Sequence, residues 1–192
     1  MGKLTNHLIL LGILVSLSGC ASVVAVGAAG TAASSASDRR TLGTQIDDKT
    51  THARVSNAID SIAGVDENAS ISINVYNGQV LLTGQANQQS IIDLAGEKAK
   101  TIENVGRVHN QIRLGQPIPA SSTMHDIWLG TKIRTLMSTN EKVPLLKLDL
   151  IVEDSEVFIM GMLSREEASA AVDVARNVDG VTRVFRVLEL TD

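Results

Sequence analysis

A single cysteine, Cys20, in 192 residues excludes an intramolecular disulfide, so each folded module must be held by apolar packing. Thiolate metal clusters are excluded with it, and His52, His109 and His125 have neither metal-ligand spacing nor a cysteine partner. There is no Gly-x-Ser-x-Gly turn and no glycine-rich loop to cradle a phosphate. Glu166 and Glu167 are adjacent on an expected helix and so diverge; they read as first-turn acids complementing the helix dipole, not as a catalytic pair. No catalytic residue, metal or cofactor is therefore expected. A basic excess is missing too: 17 Lys and Arg stand against 21 Asp and Glu, a net charge of −4, which argues against a nucleic-acid partner. Any attraction to anionic lipid must come from a local patch. Aromatic residues make up only 2% of the chain, and that scarcity makes the lone Trp128 informative.

Of what is present, the amino terminus comes first. Lys3 and the free amine precede an unbroken apolar run of ten residues, Leu8 to Leu17, and small residues then lead to Cys20. That is the pattern of a secretory leader. A membrane-spanning helix from Leu8 to about Ala29 is the alternative, but Gly12, Gly19, Gly27 and Gly30 punctuate it and its positive flank, Arg39-Arg40, is distant. Leu17-Ser18-Gly19-Cys20 resembles the lipobox of bacterial lipoproteins. The resemblance implies cleavage after residue 19 and acylation of Cys20 as the lipid anchor, with palmitate-type chains each contributing about 0.8 kcal/mol per buried CH₂. With Ala21 and not Asp after the cysteine, it also implies the inner leaflet of an outer membrane, facing the periplasm.

Residues 20–45 are mostly small, with Asp38-Arg39-Arg40 as their main charge cluster, and read as a flexible lipidated tether reaching roughly 25–30 Å. Beyond it the chain repeats itself. Ile71 to Val75 followed by Gln79 to Gly84 is answered by Leu148 to Val152 followed by Glu156 to Gly161, at an offset of 77 residues. Val105 to Val108 is answered by Val181 to Val184 at 76, and Asp48, Val55 and Ile59 by Asp126, Ile133 and Met137 at 78. Small drifts in offset mark loop indels between two copies of one fold.

The expected fold is α+β: two tandem αββαβ domains, each a three-stranded sheet with two helices on one face, at 46–115 and 123–192, joined by a short linker at 116–122 stiffened by proline. In the first copy Asp48 is a candidate N-cap, Val55, Ala58, Ile59 and Ile62 form a helical stripe, and Asn77-Gly78 is a type I′ hairpin signal. Gly84 and Gly161 are read as ending the return strands. Ile92, Ala95, Ala99 and Ile102 mark the second helix, whose counterpart opens on a capping box, Ser164 to Glu167. Domains of this size are marginal alone, and the short, stiff linker between them implies that the copies lie close and touch.

This order of elements, the glycines after the Val/Leu-rich strands and a closing Val-x-Arg-Val resemble the BON domain family of bacterial envelope proteins. With the lipobox in front and Trp128, Thr131, Lys132, Ile133 and Arg134 in the second copy, the chain is similar to that family's dual-domain outer-membrane lipoproteins. The resemblance implies binding of anionic phospholipid, of phosphatidylglycerol or cardiolipin type, through the second domain, support of outer-membrane integrity and no catalysis.

The helix bearing Trp128 can be read from its own residues. Leu129, Ile133, Leu136 and Met137 fall within about 100° of one another and make the expected core stripe, while Trp128 lies some 125° from its centre beside Thr131, Lys132 and Thr135. Four basic residues between Ser121 and Lys147 (Lys132, Arg134, Lys142, Lys147) outnumber Asp126 and Glu141, a local +2. A tryptophan beside cations suits the membrane interface, where polybasic attraction adds about 1 kcal/mol per residue. The expected lipid-contacting set is Trp128, Lys132, Thr131, Thr135, Arg134 and Ile127. Two readings stay open: this face meets phospholipid, or Trp128 packs against the first copy or the linker and the cations are ordinary solvated charges. The competing function is a protein-protein adaptor for envelope assembly or cell-wall remodelling factors, and a monomer is expected.

Overall fold

The computed structural model describes residues 38–116 and 120–192. Cys20, the leader and the tether to residue 37 lie outside the described residues, as do linker residues 117–119. Arg39 to Asp192 forms a single compact unit.

The first copy runs α1 (Leu42–Asp60), a one-turn α2 (Val65–Asn68), β1 (Ala69–Tyr76), β2 (Gln79–Ala86), α3 (Gln89–Lys100), β3 (Arg107–Asn110) and β4 (Arg113–Leu114). The second runs α4 (Ala120–Ser138), a 3₁₀ turn (Leu145–Lys147), β5 (Leu148–Glu153), β6 (Glu156–Leu163), α5 (Arg165–Arg176) and β7 (Arg183–Leu190). In each sheet the central strand pairs antiparallel with the strand before it and parallel with the strand after the crossover helix. β3 and β4 are two pieces of one closing strand, both parallel to β2 and interrupted at Gln111 and Ile112. Two helices cover one face of each sheet, as the αββαβ reading requires.

Three local expectations are corrected. Asp48 is not an N-cap: α1 begins six residues earlier, where the Thr41 hydroxyl accepts from the Thr44 amide at 3.1 Å. The helix therefore starts inside the stretch read as tether, and α4 starts at Ala120, inside the stretch read as linker. Gly84 and Gly161 do not end their strands, which continue to Ala86 and Leu163. They mark close backbone approach: a Cβ on Gly84 would stand 2.0 Å from the Ser70 carbonyl oxygen, and one on Gly161 2.8 Å from that of Lys147. The capping box of α5 is present, with the Ser164 hydroxyl accepting from Glu167 N–H and the Glu167 carboxylate from Ser164 N–H.

Alternation along the strands gives each copy two buried surfaces. Val80 and Leu82 face the helices of the first copy, Val157 and Ile159 those of the second. The intervening residues, Leu81 in one and Phe158 and Met160 in the other, meet in a third cluster with Tyr76 and Val187. The helix-free faces of the two sheets are thus packed together, and the stacked rings of Phe158 and Phe185, 4.7 Å apart, lie in this layer. Polar contacts ring it: Tyr76 Oη donates to Lys147 O at 3.1 Å, Asn77 Nδ2 to Glu189 at 2.6 Å, and Arg113 pairs with Asp154. Arg39 reaches across to the Met162 carbonyl at 2.6 Å and the Glu167 carboxylate at 2.8 Å. Burial works against ionisation of Glu167, but the Ser164 amide, Arg39 and Lys147 outweigh it and hold the carboxyl below its ordinary value.

Candidate functional site

α4 carries the residues singled out in the sequence, and its buried side is set by Asp126, Leu129, Gly130, Ile133 and Met137. At about 100° per residue these cluster around a direction roughly 70° from Leu136. Leu136 was expected in the core and is 44% exposed. The reason is Asp126 and Gly130, which turn the helix toward the hairpin and β5: a Cβ on Gly130 would already lie 3.4 Å from Val152.

Asp126 fixes that rotation. Its two carboxylate oxygens accept from the backbone N–H groups of Asp154, at 2.7 Å, and Ser155, at 2.9 Å, both held at positive φ in the hairpin turn. Asp48 does the same for Asn77 N–H, at 2.8 Å, and Gly78 N–H, at 2.9 Å, and also pairs with Arg40, whose guanidinium stacks 3.7 Å from the Tyr76 ring. The repeated Asp therefore clamps a helix to the hairpin of its own copy. Glu153, at the end of β5, is affected: burial, then the charge of Asp126, raises its pKa above the ordinary value, with Arg113 opposing.

On the outward side Trp128 is 56% exposed, Ile127 57% and Met124 65%. More than half of Trp128 is thus open to solvent, so the ring is not sealed between the two copies. Lys132 Nζ stands 5.2 Å from the centre of the indole, and the His125 ring 5.9 Å away. Thr131 and Thr135 border the ring on the helix surface and are exposed, their hydroxyls donating to the Ile127 and Thr131 carbonyls at 2.9 Å. Ile127 lies about 100° round the helix from Trp128, on the flank of the patch.

Arg134 does not join this group. It lies about 120° round the helix from Trp128, and its guanidinium donates to the Leu150 carbonyl at 2.5 Å. The local +2 is also largely committed: Lys142 pairs with Glu166 at 2.9 Å and Lys147 approaches Glu167 at 3.8 Å. Lys132 is the cation of the four that remains with the indole. Sequence reasoning missed Met124, four residues before Trp128 and so on the same face, a spacing that alone could have found it. The matching positions of the first copy, Thr50, Ala53, Arg54 and Asn57, bring no aromatic, and Arg54 is paired with Glu103 at 2.9 Å.

The arrangement offers an apolar, partly aromatic surface with one ammonium at its edge. Removing the exposed half of the indole from water would contribute about 3 kcal/mol at roughly 25 cal/mol per Å². Among the described residues no helix is long and apolar enough to cross a membrane, and no group of three or more His, Cys, Asp or Glu is placed to hold a metal ion.

Comparison with known proteins shows what the chain as a whole is similar to. The family model described as the BON domain matches residues 47–116 and again 125–191. Over 192 residues, all of this chain and 99% of the relative, the sequence is 35% identical to the outer membrane lipoprotein DolP of Haemophilus influenzae. It is 38% identical over 151 residues to a 21 kDa hemolysin of Actinobacillus pleuropneumoniae, covering 79% of this chain and 78% of that one. Among solved structures, the C-terminal domain of CdsD, a structural protein of the type III secretion system of Chlamydia trachomatis, aligns over 73% of this chain and 96% of its own at 10% identity. Its TM-score of 0.26 is too low to carry an argument.

Proposed function

The chain belongs to the BON domain family, and on that premise we propose that it is a periplasm-facing lipoprotein of the outer membrane, anchored at Cys20, whose second domain docks on anionic phospholipid. Docking uses the outward face of α4: Trp128 enters at headgroup depth with Met124 and Ile127, and Lys132 meets phosphate. No catalytic step is part of the proposal. The observation that carries it is the side-by-side exposure of Trp128, Met124 and Ile127 on a helix whose opposite side is fully buried, with Lys132 over the indole. With one free cation in the patch, electrostatics contributes about 1 kcal/mol and apolar insertion the larger part. Such affinity is modest, but an acyl anchor confines the domain near the bilayer, so a high effective concentration replaces intrinsic strength. Docked in this way the protein would tie its two-domain body to the leaflet and support membrane integrity.

Vesicle flotation of unlipidated protein beginning at Ala21 tests this. Flotation is expected with phosphatidylglycerol or cardiolipin vesicles and not with phosphatidylcholine, to weaken with salt, and to disappear in Trp128→Glu. Unchanged flotation of Trp128→Glu would show that the chosen face is wrong.

A further inference from the structure

A second surface of the same domain sets two arginines beside an apolar recess. Between α5 and the edge strand β7 runs a groove of about 290 Å³ lined by Arg165, Ala168, Ser169, Arg186, Leu188 and Leu190. Its floor is apolar, with Ala168 buried, Leu188 half-buried and Leu190 exposed. Arg165 and Arg186 are exposed, and among the described residues neither guanidinium has a carboxylate partner, whereas Arg39, Arg113, Arg176 and Arg183 all do. Beside the groove, the Asp192 carboxylate accepts from the backbone N–H of Arg165 at 3.0 Å.

Among the described residues β7 pairs only with β6, and it runs eight residues without a break. Charges on such an edge commonly guard it against self-pairing. That accounts for Arg183 and Glu189, which are engaged with Glu156 at 3.5 Å and Asn77 at 2.6 Å. It does not account for an apolar recess beside Arg186, or for a second unpaired guanidinium lining the same recess.

The duplication supplies an internal control. At the corresponding places the first copy has Gln89, Ile92, Asp93, Asn110, Ile112 and Leu114, so both arginines are replaced by amides and Ser169 by an acid. There the closing strand is broken, and Asn110 Nδ2 donates to the Ile92 carbonyl at 2.8 Å and lies 2.8 Å from where a Cβ on Gly96 would stand. An asparagine anchored to the helix occupies the first copy's equivalent, and the second copy leaves the space open and makes it cationic. α4 packs over β5 and α5 over β6 and β7, so the groove is built on a different helix from the one that carries Trp128.

We propose that this groove receives an extended, carboxylate-bearing segment of a partner protein, which adds as a fourth strand to β7. Main-chain hydrogen bonds along the edge would give affinity, an apolar side chain would rest on Ala168, Leu188 and Leu190, and the carboxylate would be gripped by Arg165 and Arg186. Peptide capture and membrane contact would then use different helices of one domain, and this inference stands whether or not α4 meets lipid.

The test uses the full chain in nonionic detergent, immobilised and exposed to a pool of octapeptides in which valine and isoleucine alternate with randomised positions. Retained peptides are expected to be at least fivefold enriched in Asp or Glu, with the enrichment lost in the Arg165→Ala/Arg186→Ala double variant and unaltered in Trp128→Glu. A retained peptide should shift amide NMR signals of residues 183–190. Retention without acidic bias, equal retention by the double variant, or shifts centred on α4 or the first domain would overturn the proposal.

Discussion

Replacing Asp126 with alanine removes the two hydrogen bonds that hold α4 against its hairpin, those from Asp154 N–H and Ser155 N–H. A hydrogen bond to a charged acceptor contributes about 1.5–3 kcal/mol, so the gross effect is about 3–6 kcal/mol. Two offsets reduce it. The turn amides are only partly buried and regain water, and the strain on Glu153 is eased, because burial first and Asp126 second push its carboxyl up. A net loss of about 2–4 kcal/mol is expected, a large share of a domain's stability. Urea unfolding followed by circular dichroism should show a lower midpoint with an unchanged slope. Asp126→Asn, which keeps one acceptor, should lose about half as much by the same bond count. Because Asp126 stands two residues before Trp128, the substitution should also loosen the orientation of the exposed face. A loss below about 0.5 kcal/mol would refute the reasoning, since it would mean that the turn amides are satisfied equally well by water.

Ser155 sits at φ 63° without being glycine, so Ser155→Gly should stabilise by about 1 kcal/mol and raise the melting temperature; no rise would mean that the turn is unstrained. Phe158→Ala empties part of the layer between the sheets and should cost about 3–5 kcal/mol, with unfolding resolving into two steps as the copies uncouple; a single unshifted transition would contradict the shared core. Folded Glu153 binds its proton more tightly than the unfolded chain does, so it costs stability as pH rises through the ordinary carboxylate range and beyond. Glu153→Gln should therefore be more stable than the parent at neutral pH, with the gap closing on acidification; a gap that widens in acid would reverse the assignment.

The duplication was legible because hairpin, glycine and Val-x-Arg-Val recur at nearly one spacing, and the exposed side of α4 because Trp128 lies away from Leu129, Ile133 and Met137. The start of α1 was missed because a flanking Ala, Gly, Ser and Thr stretch masks Thr41, whose capping of Thr44 depends on a helix that only tertiary contacts sustain. Asp48 was misassigned because a capping residue and a hairpin clamp demand the same side chain, and only the fold brings Asn77 and Gly78 to it. The sheet-to-sheet layer had a signal that went unread: Val80-Leu81-Leu82 and Val157-Phe158-Ile159-Met160 are continuous apolar runs, the mark of strands buried on both faces. Pairing of Lys142 with Glu166 and of Arg134 with the Leu150 carbonyl joins different elements of the fold, so counting charges from Ser121 to Lys147 overstated the patch.

Trp128 is the only tryptophan in the chain, so its fluorescence reports the proposed contact without interference. On adding phosphatidylglycerol vesicles its emission should move to shorter wavelength, become shielded from iodide and be quenched by brominated acyl chains, with each effect reduced in Lys132→Glu. Emission that stays at its aqueous position, equally open to iodide with and without vesicles, would contradict the account.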